Sequence, residues 1–272
     1  MPGLSNLLYS IIIGIVQGVS EWLPISSKTQ VLFVSNILFG LPLAVAFAFG
    51  LFMEVGSLFS ATFYFRREIL SLFHDRKLLV YLLVVTLVTG IEGVPLYLVS
   101  DSLLAGAYNL GLPMTVLGAF LIFDGLYIRR SRKTPRTGTL NELSLKQYAI
   151  VGAAQGFSAL PGVSRSGMTV STLLFMGVSP KEAFRLSYLA YIPASIGGFL
   201  TTVVFSKAEL AVALSNFDAT GISVSIVTAA VIGVFVISAL LRFAKRNDIY
   251  VVTIFLGLVA AAIGVLAFVG SV

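Results

Sequence analysis

The chain contains no cysteine, which excludes disulfides and thiolate metal sites and leaves the compartment open. Charge is almost as scarce: Asp, Glu, Lys and Arg make up 11% of its 272 residues, against about a quarter in a soluble domain. With 57% hydrophobic residues and a mean hydropathy of +0.99, the chain is expected to be an integral membrane protein. There is a single histidine, His74, in a basic loop beside Asp75 and Arg76, where ordinary solvation accounts for it. No His/Cys/Asp cluster has transition-metal spacing, and no Walker loop is present, so ATP-driven transport has no support. A pI near 9.6 would point to nucleic acid in a soluble chain. Here the basic residues lie in loops between apolar runs and read as topology signals, so no nucleic-acid partner is expected. The N-terminus lacks a basic n-region, and no cleavable signal peptide is expected.

What the chain has in abundance is apolar length. Six stretches, near 43–65, 78–99, 112–129, 184–205, 223–243 and 249–270, can cross a hydrocarbon core of about 30 Å, which takes roughly 20 helical residues. Regions 5–39 and 147–177 differ. Each holds an apolar helix, a Pro/Gly/Ser break and a second short apolar helix, and each half is too short to span comfortably. Broken backbone at membrane depth is tolerated only where protein buries it or where it lines a wet cavity. Both regions are therefore expected to be re-entrant helix pairs that enter and leave on one side.

With that topology the loops 66–77, 130–146, 178–183 and 242–248 share one face with their flanks. Of the 18 Lys and Arg, all but Lys28, Arg165 and Lys207 fall there, which predicts a cytoplasmic location for that face of a cell-membrane protein and outward-facing termini. Each half is then one re-entrant pair followed by three spans, and an odd number of spans inserts the second half upside down. The fold class expected is an all-α polytopic membrane protein, with six transmembrane helices plus two re-entrant helix pairs in inverted-topology repeats. Repeat one covers 1–135 and repeat two 136–272, forming one functional membrane domain.

The breaks carry the chemistry. "QGVSEWLPISSKTQ", Gln17 to Gln30, and "QGFSALPGVSRSGMT", Gln155 to Thr169, share Gln-Gly and Leu-Pro and differ in their charges. In the second, Ser164, Ser166 and Gly167 stand where a helix should begin. Free N–H groups and the dipole's positive end make such a start an anion site, and Arg165 adds a fork of donors suited to phosphate. The plainer alternative has Ser164 capping the helix and Arg165 pairing with a carboxylate. In the first break, Glu21 precedes Trp22-Leu23-Pro24, and Ser26, Ser27 and Lys28 follow. A carboxylate beside hydroxyls can act as a general base or hold a divalent metal, and Lys28 can neutralise a phosphate. The alternative is an N-cap serine with Glu21 paired to Arg165. Glu54 sits within a span and is a further candidate, because ionisable groups inside membranes are costly. Glu92 and Asp124 divide evenly between structural pairing and function.

At these breaks the chain resembles the undecaprenyl pyrophosphate phosphatase family of the bacitracin-resistance type. Those membrane enzymes remove the terminal phosphate of a polyprenyl pyrophosphate to regenerate a carrier lipid. The resemblance also runs through "MEVGSLFSATFYFRRE" at 53–68, "LPGVSRSGMT" at 160–169 and "FRLSYLAYIPA" at 184–194. It implies that Glu21 is a catalytic carboxylate, Ser27 a nucleophile and Arg165 a phosphate ligand flanked by Ser164 and Ser166. Glu54 matches an acidic residue of the second block, and a divalent cation, Mg²⁺ or Ca²⁺, is expected from the family alone. Three positions depart: Gln17 stands in place of a glutamate, Gln30 in place of a histidine, and Lys28-Thr29 in place of a small Thr/Ser-Gly pair. A glutamine cannot take a proton, so a histidine-based mechanism is excluded. Two functions follow: a polyprenyl pyrophosphate hydrolase, or a carrier that flips a polyprenyl phosphate across the bilayer without hydrolysis.

Overall fold

A computed structural model describes residues 2–105, 111–131, 136–160, 163–243 and 249–269. Twelve α-helices run through them: α1 (Pro2–Ser20), α2 (Ser27–Phe39), α3 (Leu43–Tyr64), α4 (Arg66–Ser71), α5 (Arg76–Ala105), α6 (Gly111–Ser131), α7 (Leu145–Gly156), α8 (Arg165–Phe175), α9 (Pro180–Phe205), α10 (Lys207–Leu214), α11 (Ala219–Phe243) and α12 (Ile249–Val269). Among the described residues there is no strand, only one isolated parallel bridge between Gly138 and Val178. Helix is the natural answer for so apolar a chain, because each helix satisfies its own backbone groups where water is absent.

Four helical stretches among the described residues are long and apolar enough to cross a membrane: Leu43–Tyr64, Arg76–Ser102, Pro180–Phe205 and Ala219–Arg242. The stretches read at 112–129 and 249–270 are the continuous helices α6 and α12, which pack along each other. Regions 5–39 and 147–177 are each helix, break, helix, as expected. The helices overrun their expected ends. α5 continues through Pro95 to Ala105, and α9 starts at Pro180 and continues through Pro193. Proline is tolerated inside membrane helices, where neighbours re-satisfy the freed carbonyl. Two short helices, α4 and α10, were not expected. α10 buries Leu210 and Ala213 against α3 and α9.

Helix ends follow local chemistry. Ser144 and Gln147 form a capping box at the start of α7. At the end of α2, Gly40 adopts a left-handed φ of 64°, and its N–H donates to the Asn36 carbonyl at 2.8 Å. The Asn36 amide then donates to the Leu41 carbonyl, also at 2.8 Å, which turns the chain towards α3.

α3 is the central helix and is buried over most of its length, touching α1, α2, α5, α9, α10 and α11. α1 packs along α11, and α5 along α7. Two apolar clusters form the core. One joins Phe65, Leu78, Tyr81, Leu140, Leu143, Tyr148, Val178 and Phe184. The other joins Ile13, Leu41, Leu43, Tyr97, Leu104, Ala213 and Phe217. The first cluster draws the loops before α5, before α7 and before α9 to one end, where Lys77 donates to the Asn141 carbonyl at 2.6 Å. Leu83, Leu87 and Ile91 on α5 and Phe235 on α11 remain exposed, as lipid-facing side chains are.

Between apolar helices in lipid there is no hydrophobic driving force, so close packing of small residues carries much of the association. Gly14 of α1 and Gly152 of α7 are the clearest cases. A Cβ on Gly14 would stand 2.6 Å from the Ser225 carbonyl oxygen, and one on Gly152 would stand 2.8 Å from that of Val85. Gly90 of α5, by contrast, would meet nothing within 4 Å. Gly14→Ala and Gly152→Ala are therefore expected to destabilise the protein by about 1–3 kcal/mol each through overpacking against backbone. Gly90→Ala should leave stability unchanged or raise it. Unfolding of the purified variants in detergent measures this, and equal midpoints for Gly14→Ala and Gly90→Ala would contradict it.

Candidate functional site

The first break begins where α1 ends, and its shape is fixed by the single tryptophan. Trp22 is fully buried, its ring edge-on to Tyr188 and Tyr191 of α9, both at 5.1 Å between centroids. The Tyr188 hydroxyl donates to the Trp22 carbonyl at 2.8 Å, supplying a partner that the broken helix cannot. Pro24 follows, and the chain re-enters helix only after Ser26. That serine has a φ of 54°, the one left-handed non-glycine among the described residues. Such a conformation in a non-glycine residue costs on the order of 1–3 kcal/mol and persists only where surroundings enforce it. Here its hydroxyl lies 3.0 Å from that of Thr29, and its carbonyl receives the N–H groups of Thr29 and Gln30.

The strained turn points Ser27, the first residue of α2, at a carboxylate. Ser27 Oγ donates to Glu21 Oε2 at 2.5 Å, and the Gln17 amide donates to the same oxygen at 2.9 Å and to Ser57 Oγ at 3.1 Å. The other oxygen, Glu21 Oε1, accepts from Arg165 Nη2 at 2.8 Å. Arg165 opens α8, stacks its guanidinium over the Tyr191 ring at 4.2 Å, and donates from Nη1 to the Ser187 carbonyl at 3.4 Å. Its Nε is buried with no hydrogen-bond partner among the described residues. Ser166 Oγ donates to the Leu23 carbonyl at 2.9 Å, and Lys28 Nζ donates to the Ser158 carbonyl. Among the described residues the two breaks therefore touch at three polar contacts.

Each predicted site residue can be placed. Glu21, Ser26, Ser27, Lys28, Glu54, Ser164, Arg165 and Ser166 line one small polar cavity of about 10 Å³. Gln17 holds Glu21 from behind. Ser164 caps α8 by accepting from the Gly167 N–H at 3.2 Å, so that N–H is engaged by the cap rather than left open. The structure thus contains the capped helix and the Glu21–Arg165 pair of the plainer alternative, within a constellation that also leaves an arginine donor unsatisfied. Gln30 lies outside both cavities and donates to the Ile25 carbonyl at 3.1 Å, which shapes the turn. Glu92 packs on Gly156 and lines neither cavity, His74 is exposed, and the Asp124 side chain lies outside the described residues.

A larger cavity of about 160 Å³ adjoins the polar one. It is walled by α5 and α9, including the small residues Gly90, Gly93, Gly197 and Gly198, with Leu51, Val94 and Pro193. Lys28, Glu54 and Arg165 line both spaces and so form the partition between them. Sequence reasoning missed Tyr188, Tyr191 and Ser158. The two tyrosines sit three residues apart in "FRLSYLAYIPA", which places them on one helix face, and that spacing was an available signal. Ser158 gave none, because its contribution is a backbone carbonyl.

The family resemblance implies a divalent cation, and the described side chains do not by themselves form a ligand set for one. Among the described residues no group of three or more His, Cys, Asp or Glu side chains could hold a metal ion. Both oxygens of Glu21 are already committed, and an ammonium group stands beside the second carboxylate, Glu54.

Known proteins match this chain over almost its whole length. The sequence profile of the family described as bacitracin resistance protein BacA matches residues 10–262. A protein of Sulfurisphaera tokodaii named undecaprenyl-diphosphatase is 56% identical, covering 96% of this chain and 98% of its own. A protein of the same name from Saccharolobus islandicus is 50% identical over 98% of this chain and 100% of its own. A third, from Pyrobaculum islandicum, is 39% identical over 96% of this chain and 97% of its own.

The buried ion pair has a signature in stability. Removing one partner strands a buried charge and costs about 3–5 kcal/mol, whereas removing both costs far less than the sum. Glu21→Gln and Arg165→Gln are each expected to destabilise strongly, and the double variant should recover part of the loss. Unfolding of the single and double variants in detergent checks this. Strictly additive losses would show that the two charges are not coupled.

Proposed function

The chain belongs to the bacitracin resistance protein BacA family, and we propose that it removes the terminal phosphate of a polyprenyl pyrophosphate within a membrane, leaving the lipid monophosphate. The relatives' name, undecaprenyl-diphosphatase, supports the substrate class. The observation that carries the reading is the line Ser27–Glu21–Arg165. A hydroxyl donates to a carboxylate, the carboxylate is gripped by an arginine, and the arginine keeps a buried donor unused. Phosphoryl transfer needs little covalent chemistry from a protein beyond positioning and charge stabilisation.

The steps follow from the atoms. Glu21 Oε2 takes the proton of Ser27 as Oγ attacks the terminal phosphorus. The bond from that phosphorus to the bridging oxygen breaks, and the bridging oxygen leaves on the polyprenyl monophosphate. Arg165 and Lys28 bind the phosphoryl oxygens, where charge builds, with Ser26, Ser164 and Ser166 at the starts of α2 and α8 around them. A water then attacks the phosphoserine phosphorus; as the bond from phosphorus to Oγ breaks, Glu21 returns its proton to Ser27 Oγ, and both protons of the water leave on dihydrogen phosphate. The first isoprene units occupy the larger cavity, whose apolar wall and small residues between α5 and α9 suit a chain that enters from lipid.

The inverted-repeat architecture is part of this proposal, and the packing supports it. Matching α1, α2, α3, α5 and α6 to α7, α8, α9, α11 and α12 turns each principal pairing into another. α1 on α11 becomes α7 on α5, α2 on α3 becomes α8 on α9, and α3 on α9 and α6 on α12 return to themselves. Gly14 and Gly152, which stand three residues before Gln17 and Gln155, are exchanged as well. Residues 1–135 and 136–272 form the two repeats, with the two breaks as re-entrant tips. The basic loops gathered at one end face the cytoplasm, and both termini lie outside. The chain has no cysteine of its own, so single cysteines placed at Phe73 and Asn141 can be read cleanly. Both are expected to resist an impermeant thiol reagent in intact cells and to react after lysis; ready labelling of intact cells would reverse the orientation.

Arg165→Ala, Glu21→Ala and Ser27→Ala are each expected to lower phosphate release from a polyprenyl pyrophosphate by about a hundred- to a thousandfold. Gln30→His should change it little, because position 30 faces the turn. Hydrolysis that survives the loss of both Ser27 and Glu21 would refute the site. A parent protein that binds polyprenyl phosphate through Arg165 without hydrolysing pyrophosphate would instead be a carrier.

A further inference from the structure

Four ionisable side chains meet in the polar cavity, Glu21, Lys28, Glu54 and Arg165, all buried to about nine-tenths or more. Taken as ionised they sum to zero. Without Lys28 the remaining three sum to −1, and a pyrophosphate entering beside them would add further negative charge to a site poor in water. Two anionic carboxylates facing a phosphate normally require a cation between them. Here the cation is covalently attached. Lys28 lines the polar cavity together with Glu54, Glu21 and Arg165, and it lines the larger cavity too, so it stands on the partition between them.

The fold holds it there. A Cβ on Gly50 of α3 would come within 3.0 Å of the Lys28 carbonyl oxygen and 3.2 Å of its Cα, so Gly50 lets the two backbones close up and seat the side chain inward. Its ammonium is tied to a carbonyl, that of Ser158, and not to a carboxylate. A neutral partner releases an ammonium more readily than a carboxylate would, because a bond to a charged oxygen is about twice as strong. A phosphate oxygen can therefore draw Lys28 away from Ser158 while Arg165 keeps Glu21.

We propose that the Lys28 ammonium takes the place of a divalent cation in this site, so that the protein binds and cleaves pyrophosphate without a metal ion and excludes one from the space between Glu21 and Glu54. This rests on the hydrolase reading and deepens it.

The test uses the purified full chain, with two readouts. The first is phosphate release from a polyprenyl pyrophosphate in excess EDTA and in Mg²⁺ or Ca²⁺. The parent should run at similar rates in all three. Lys28→Ser should fall about a hundredfold in EDTA and regain activity with Mg²⁺, because the ion now has room. Lys28→Met, which keeps the volume without the charge, should fall equally and gain nothing from Mg²⁺; it also serves if Lys28→Ser fails to fold. The second readout is Mn²⁺ binding followed by electron paramagnetic resonance without substrate. The parent should bind none at this site, and Lys28→Ser should gain an ion that is lost again with Glu54→Gln. A parent whose rate collapses in EDTA and returns with Mg²⁺, or which binds Mn²⁺ through Glu54, overturns the proposal. So does a failure of Lys28→Ser to gain Mn²⁺. A parent inactive under every condition would remove the hydrolase reading, and the Mn²⁺ comparison would still decide the role of Lys28.

Discussion

The 2.8 Å bond between Arg165 and Glu21 is the interaction on which the rest of the molecule depends. It joins residues 144 apart in sequence and closes one helix break against the other. Each partner alone would be expensive at membrane depth, where a central charge costs about 2.5–3.5 kcal/mol on insertion scales. Together they neutralise each other, and the geometry does more than that. Because Arg165 occupies Oε1, Glu21 is held with Oε2 turned to Ser27 and Gln17, so the pair that tolerates burial also orients the carboxylate that serves as base in the proposed reaction. Tyr191 completes the arrangement by lying under the guanidinium and donating its hydroxyl to the Glu54 carbonyl at 2.9 Å. A single aromatic residue thereby links the arginine of the second half to the central helix of the first.

The first break shows how strain and polarity are balanced. Ser26 holds a left-handed conformation, and the groups around it share the task of keeping it there. Trp22 wedges the turn from one side, Gln30 ties the Ile25 carbonyl from the other, and Gly50 admits α2 close to α3. The glutamine at position 30 therefore has structural work as a donor, and in the proposed reaction the proton of Ser27 goes to Glu21, which it already touches.

Much of this was legible in the sequence because membranes impose few solutions. Apolar runs of the right length had to be helices, and Pro/Gly/Ser breaks with charges could exist at depth only if they faced each other or a cavity. Glu21, Ser27, Lys28 and Arg165 could be named on that ground, and Glu54 from the cost of a charge within a span. What was not legible has physical causes. The helix ends at 105 and 180 were missed because the spans were bounded by their apolar runs, while each helix continues past its run through polar residues, Ser100 to Ser102 in α5 and Lys181 and Glu182 in α9. α10 is too short for its pattern to declare itself. The "G-x-x-Q-G" common to 14–18 and 152–156 was read only as Gln-Gly, since nothing in a sequence says that a glycine faces another backbone. Gly167 was expected to offer its N–H to an anion, and Ser164 takes it first.

The two cavities differ in size and lining, and the proposed reaction needs both differences. The larger, mostly apolar space between α5 and α9 can hold part of a prenyl chain, whereas the polar one, at about 10 Å³, has room for roughly one water. A terminal phosphate can enter only by pushing apart side chains that now touch, so the site is closed at rest and a bound phosphate would be stripped of most of its solvent. Low water strengthens the pull of Arg165 and Lys28 on the phosphoryl oxygens, because charges there are poorly screened. It also restricts what can follow the first transfer. Once the lipid monophosphate has withdrawn towards the larger cavity, the space it vacates beside Ser27 admits a water and little else, and that water is the reactant the second step requires.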